Sequence, residues 1–223
     1  MNIKIATVLL SLACCSVNFS NAHLPPGVIY YGTSSVASQS STWPDPSNPI
    51  PTAEKAFDGN TNGNYYDGSV AHTDNDYNPS WWEVKLDSSQ QVTGVKIWNR
   101  IGPTSDRLVG FVLKLFQDDC QGVQGSTPVY TYNDDTGGPG EVSYEIDFTN
   151  MGTPESAEGI PADYIRIELP GSEYLQLAEV QVYVAHKTPK GNLSTCNAKN
   201  PVPPPQAKGP TGRRKRRLVK TRD

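Results

Sequence analysis

Between Tyr30 and Val184 the apolar residues recur at every second position in short runs, and Gly, Pro, Asn or Asp interrupts each run before it lengthens. A period of two puts alternate side chains on one face of an extended chain, whereas a helix needs a period near 3.6. Trp82-Val84-Leu86, Val95-Ile97, Phe111-Leu113-Leu115, Ile146-Phe148, Ile165-Ile167-Leu169 and Val180-Val182-Val184 follow this rule, with Lys85, Lys96, Lys114, Arg166, Glu168 or Gln181 on the opposite face. Each run predicts a half-buried antiparallel strand. Asp58-Gly59-Asn60, Asn62-Gly63, Gly102-Pro103 and Gly137-Gly138-Pro139-Gly140 supply turn conformations that a helix interior resists. The expectation is one all-β domain over residues 28–185, an antiparallel jelly-roll β-sandwich with little helix and its first and last strands adjacent. A domain of this size buries about two thirds of its unfolded surface and needs no disulfide to stand.

The ends read differently. Lys4, the apolar run Ile5 to Cys15 and then Ser20-Asn21-Ala22 have the order of a signal peptide, here residues 1–22. The run is about half of what a membrane span requires, so secretion is expected and a span is not. Removal of this leader takes Cys14 and Cys15 and leaves Cys120 and Cys196, whose pairing the sequence leaves open. Residues 186–223 turn Pro-rich and then basic, which predicts an extended, disordered tail. Residues 208–223 carry eight cations against Asp223, while residues 23–207 carry ten cations against 22 anions. The basic run predicts salt-sensitive binding to anionic polymers, with no specific nucleic-acid partner; self-association stays open.

The chain resembles the F-type lectin (fucolectin) family, within the wider discoidin and coagulation-factor C-domain superfamily, through five blocks in order: Ala56 to Asn64, Gly68-Ser69-Val70-Ala71-His72-Thr73, Trp81-Trp82-Glu83-Val84, Ile97-Trp98-Asn99-Arg100 with Asp106-Arg107-Leu108, and Tyr174 to Val180. The resemblance implies a glycan-binding lectin module. In that family a His and two Arg, spaced as His, a long gap, Arg-x-Asp, four residues and Arg, bind the sugar. His72, Arg100 and Arg107 occupy those positions. An imidazole and two guanidinium forks suit adjacent sugar hydroxyls, because charged donors give stronger hydrogen bonds than neutral ones. Two positions depart from the pattern: Gly102 stands where the family has Asp, and Pro103-Thr104 replaces an adjacent Cys pair. The missing carboxylate would orient the arginines, so Asp106, Asp74 or Asp76 is expected to substitute, and Gly102→Asp to strengthen fucose binding. Trp43, Tyr65, Tyr66, Tyr77 or Trp98 could offer an aromatic face. Taken by spacing alone, Arg100 and Arg107 also read as strand-end cations in surface ion pairs.

The same resemblance implies one structural Ca²⁺, held by the side chains of Asp58, Asn60, Ser69 and Glu179 and by the carbonyls of Lys55, Asn60 and Ala178. Calcium takes six to eight hard oxygens, which this set supplies. An Asx turn without an ion is the alternative. Two further functions compete with the lectin. His23, His72 and His186 with two cysteines make no usual zinc site, and neither a Gly-x-Ser-x-Gly elbow nor a phosphate loop occurs, which argues against an enzyme, while a carboxylate pair for glycoside hydrolysis stays open among the 22 acids of residues 23–207. A discoidin-like adhesion module gripping protein or lipid would expose apolar loop tips, whereas Asp67-Gly68, Asp74-Asn75-Asp76 and Gly102-Pro103-Thr104 read as polar.

Overall fold

The computed structural model describes residues 27–30, 32–46, 49–117, 123, 126–135, 140–149 and 158–185. Among the described residues nine antiparallel strands run in chain order: β1 Val28–Tyr30, β2 Val36–Gln39, β3 Ala71–His72, β4 Ser80–Asn99, β5 Val112–Phe116, β6 Tyr130–Asn133, β7 Ser143–Asp147, β8 Ile160–Leu169 and β9 Gln176–Val184. Three short 3₁₀ turns, Ala53–Ala56, Tyr65–Asp67 and Ser105–Leu108, lie wholly within the described residues. None is long and apolar enough to cross a membrane. The all-β reading is therefore correct. The expected signal peptide and tail, with Cys120 and Cys196, lie outside the described residues.

β4 organises the fold. Its first half pairs with β2 and β8, its second half with β7 and β9. The inward face changes parity along it: Trp82, Val84 and Leu86 are buried first, then Val95 and Ile97. A register shift between Lys85 and Gln90, and an extra residue at Thr93, bring about the change. A bulge inserts one unpaired residue and turns the next side chains to the other face. β8 switches in the same way, from Ile160 and Ala162 to Ile165, Ile167 and Leu169. Both long strands thus contribute to two layers around a core that includes Trp82, Phe111, Ile97, Leu113, Ile167 and Val180.

β1 pairs with β9, Val28 opposite Val184, so the first and last strands are neighbours. β3 also lies on β9, with His72 opposite Gln176. Between Trp98↔Glu179 and Asn99↔Leu177, β9 carries an extra residue, Ala178. This bulge lies where β3, β4 and β9 meet, between the sugar-binding and metal-ligating positions read from the sequence.

Candidate functional site

The site grows from the way three segments end side by side. His72 belongs to a two-residue strand pinned on both sides, since its N–H donates to the Pro51 carbonyl at 3.1 Å and its carbonyl accepts from Trp43 N–H at 2.9 Å. Thr73 then locks the strand to the loop before β9: its N–H donates to Leu175 O and its Oγ1 accepts from Leu175 N–H. Arg100 follows the last residue of β4. There Asn99 is buried and donates its side-chain amide to the carbonyls of Ser105, at 2.9 Å, and Glu141, at 3.0 Å. Ile101 N–H donates to Gly63 O at 2.9 Å, and a Cβ on Gly63 would meet Asn99 O at 2.6 Å. Glycine is thus required for the Asn62-Gly63 turn to approach Arg100's strand end. Arg107 sits on the 3₁₀ turn Ser105–Leu108, anchored by buried Leu108.

These residues converge on one open pocket of about 390 Å³, lined by Trp43, Asp45, Tyr65, Tyr66, His72, Arg100, Arg107 and Tyr174. The Arg100 guanidinium lies 4.4 Å from the centre of the Tyr65 ring and that of Arg107 4.8 Å from Tyr174, which are cation–π distances. Trp43 stacks on His72 with ring centres 5.8 Å apart. Of the aromatic residues singled out from the sequence, Trp43, Tyr65 and Tyr66 wall the pocket. Trp98 instead packs beneath it and donates to Gln181 at 3.1 Å, and Tyr77 lies apart; Tyr174 and Asp45 were not anticipated.

The three acids expected to orient the arginines do not do so. Asp106 accepts from Gly140 N–H, Asp74 from its neighbour Asn75, and Asp76 is exposed. Glu173 pairs with Arg107 Nε at 3.4 Å, and Gln176 does the rest. One end of its amide is 2.6 Å from His72 Nε2, 2.9 Å from Arg107 Nη1 and 3.2 Å from Arg100 Nη1; the other is 3.1 Å from Thr104 Oγ1. If the first end is nitrogen, it donates to His72 but turns its hydrogens on two guanidiniums. If it is oxygen, it accepts from both arginines and from His72 Nε2–H, and the amide nitrogen donates to Thr104. The second arrangement leaves His72 Nδ1 bare against Thr73 O, 2.7 Å away. A charged hydrogen bond contributes about 1.5–3 kcal/mol and a neutral one about 0.5–1.5, so gaining two charged bonds outweighs losing one neutral bond. The carbonyl faces the arginines.

Burial, opposed by the Thr73 carbonyl and assisted by Arg100 and Arg107, lowers the His72 pKa to about 4. The ring is therefore neutral at physiological pH, and both its nitrogens lie against protein groups. Burial also lowers the Arg100 pKa, and Arg100 Nε is buried without an acceptor. Gly102 has φ +114°, and a Cβ added there would meet nothing within 4 Å. There is room for a side chain, but the backbone conformation is one that L-residues rarely adopt. The expected gain from Gly102→Asp is accordingly offset by strain.

Of the positions expected to ligate a metal, Asp58, Asn60 and Ser69 lie on one loop. Asp58 N–H and Gly59 N–H both donate to Glu179 Oε2 at 3.2 Å. Asn60 N–H donates to Asp58 Oδ1 at 2.9 Å and Asn62 N–H to Asn60 Oδ1 at 3.1 Å, a run of Asx turns. Ser69 Oγ donates to Asn62 O at 2.5 Å. Lys55 lies in the 3₁₀ turn just before the loop, and Ala178 is the bulged residue next to Glu179. Glu179 is fully buried, its Oε1 has no partner, and burial raises its pKa to about 7 against the pull of the two N–H donors. A buried carboxylate oxygen with no hydrogen bond is a costly arrangement that a cation would relieve. Among the described residues no three His, Cys, Asp or Glu side chains lie together as a metal set. The donors here are two carboxylates with amide, hydroxyl and carbonyl oxygens, which suits a hard ion such as Ca²⁺ and not a soft one.

Comparison with known proteins agrees with this architecture. Residues 55–154 match the family described as a NedA-like, galactose-binding domain of the coagulation factor 5/8 C type. The chain is similar to fucolectin-3 of Anguilla japonica, 28% identical over 85% of this chain and 99% of that protein. It is also similar to a solved fucose-binding module of Streptococcus pneumoniae, 31% identical with TM-score 0.55, over 71% of this chain and 96% of that one. The lectin domain of lectinolysin complexed with Lewis B antigen is 30% identical with TM-score 0.55, over 68% of this chain and 94% of that one. On these matches, the chain belongs to the F-type lectin (fucolectin) family within the discoidin and coagulation-factor C-domain superfamily.

Proposed function

We propose that this chain is a secreted lectin that binds fucose- or galactose-type glycans without covalent chemistry. The observation that carries the reading is the pairing of Arg100 and Arg107 in one open, aromatic-walled pocket. Fixed guanidinium donors address adjacent hydroxyls, while ring faces cover the apolar side of a sugar. His72 shapes the floor of the site, and its neutral state keeps a third positive charge away from the arginines. The names of its relatives, fucolectin and fucose-binding module, support the sugar class. Titration of free fucose and galactose into wild type, Arg100→Ala and Arg107→Ala tests it. Wild type should bind weakly and each variant at least about tenfold more weakly, the loss of one charged hydrogen bond; equal binding by all three places the sugar elsewhere.

The same proposal includes a structural Ca²⁺ held by Asp58, Asn60, Ser69 and Glu179 with the carbonyls of Lys55, Asn60 and Ala178, supported by the unpartnered buried oxygen of Glu179. When bound, the ion would tie the loop leading to His72 to the terminal strand. The basic run at residues 208–223 is assigned to anionic polymers. A discoidin-like adhesion role is the second reading, favoured by one observation: Tyr66 and Ile101 are 78% and 49% exposed beside loops that the sequence alone presents as polar. Binding to lipid vesicles, with none to either sugar, would support it.

A further inference from the structure

Gln176 is 2% exposed at the first position of β9, directly across from His72. Neither the family's sugar motif nor the metal set includes it. We propose that Gln176 is a positioning residue for sugar recognition, its side-chain carbonyl holding Arg100 and Arg107 side by side and so performing the task of the carboxylate that Gly102 lacks. This rests on the lectin reading above.

Three observations carry it. The two guanidiniums are held close, since both lie within hydrogen-bond reach of one Gln176 atom, and a shared acceptor between like charges offsets their repulsion. The Gln176 oxygen is that acceptor, 2.9 Å from Arg107 Nη1 and 3.2 Å from Arg100 Nη1. The opposite end of the same amide reaches Thr104 Oγ1 at 3.1 Å. Thr104 is one of the two residues that replace the family's adjacent cysteines, so one side chain braces both departures from the motif. Finally, Gln176 cannot drift. It is fixed by the β3–β9 register, by Leu175 N–H on Thr73 Oγ1, and by the bulge at Ala178 two residues on. A buried group held on a strand orients its partners better than one on a loop.

The test compares wild type with Gln176→Met, which keeps length and apolar bulk but has no carbonyl, and Gln176→Glu, which keeps the acceptor. Fucose and galactose are titrated into each, and NMR order parameters of the Arg100 and Arg107 Nε–H groups are measured without sugar. Gln176→Met should bind about tenfold or more weakly, with both arginines loosened; Gln176→Glu should keep them ordered and bind at least as well as wild type. A Gln176→Met protein that binds like wild type, with arginines equally ordered, overturns the proposal. If wild type binds neither sugar, the lectin reading fails, and arginine order alone decides the role of Gln176. Should Gln176→Met not fold, wild type still answers through the ¹⁵N shifts of His72 near pH 7. A protonated Nε2 with a bare Nδ1 places the amide oxygen toward the arginines; a bare Nε2 turns the amide the other way and overturns the proposal.

Discussion

His72 and Glu179 are both buried and both shifted, and their effects on stability have opposite signs. The His72 pKa falls from 6.5 to about 4, so its neutral form stabilises the fold above pH 6.5 and that contribution is lost as pH falls toward 4. A shift of this size corresponds to roughly 3 kcal/mol. In metal-free protein Glu179 rises from 4.5 to about 7, so its protonated form stabilises the fold below pH 4.5 and that contribution is lost as pH rises through 7. The two overlap in mildly acid solution and mask one another in the wild-type profile. His72→Gln should therefore unmask a melting temperature that falls as pH rises from about 4.5 to 7, while Glu179→Gln in chelator should unmask one that rises from about pH 4 to 6.5. Melting curves from pH 4 to 8 separate them; a variant whose profile parallels wild type shows that its residue does not titrate as assigned.

Among the elements, β4 does the most to join fold to site. Trp82 is fully buried on its first half and donates its indole N–H to Ala53 O at 2.8 Å. That bond fastens the 3₁₀ turn Ala53–Ala56, which leads directly into the Asp58 loop. Trp82→Phe keeps most of the packing and removes this hydrogen bond, a loss of about 0.5–1.5 kcal/mol. Trp82→Ala adds a cavity and should cost about 3–5 kcal/mol. Chemical denaturation gives both numbers, and a Trp82→Phe variant as stable as wild type would mean that the hydrogen bond contributes nothing beyond packing. Farther along, the bulges at Thr93 and Ala178 turn the same strands to serve two layers and two sites. Neither can be removed without turning side chains from the core to solvent.

For the molecule as a whole, the metal proposal makes a thermodynamic claim. A ligand bound only by the native state stabilises it by RT ln(1 + [L]/Kd), about 2.7 kcal/mol at a hundredfold excess over Kd. For a domain of this size that amounts to a rise of roughly 5–10 °C in melting temperature. Adding Ca²⁺ to chelated wild type should produce such a rise and adding it to Glu179→Ala should not; an unchanged wild-type curve removes the ion. A chain ending after Ala185, whose N–H still donates to Gln91 O at 2.9 Å, should melt like the full chain. It should elute from heparin at lower salt, because exposed charges act at long range and are screened within about 8–10 Å. Unchanged heparin retention would take the polyanion role away from the basic run.

The period-two runs were sufficient to give the fold class and the cores of five strands, since alternation is a local property that any half-buried strand imposes on its own residues. They did not reveal that Trp82 and Ile97 belong to one continuous strand, nor the short strands β1, β2, β3 and β6, whose pairing comes from partners distant in sequence. The motif brought His72, Arg100 and Arg107 to notice, and the structure gathers all three around one pocket. What orients them was sought among acids nearby in sequence and lies instead on β9, more than seventy residues away from Arg100, in an uncharged side chain. Gln176 in Leu175-Gln176-Leu177 and Glu179 in Ala178-Glu179-Val180 are both polar residues in an otherwise apolar strand. Sequence order determines which faces a chain can bury. Which polar groups then share a hydrogen bond depends on strand register, bulges and amide orientation, which only the packed molecule sets.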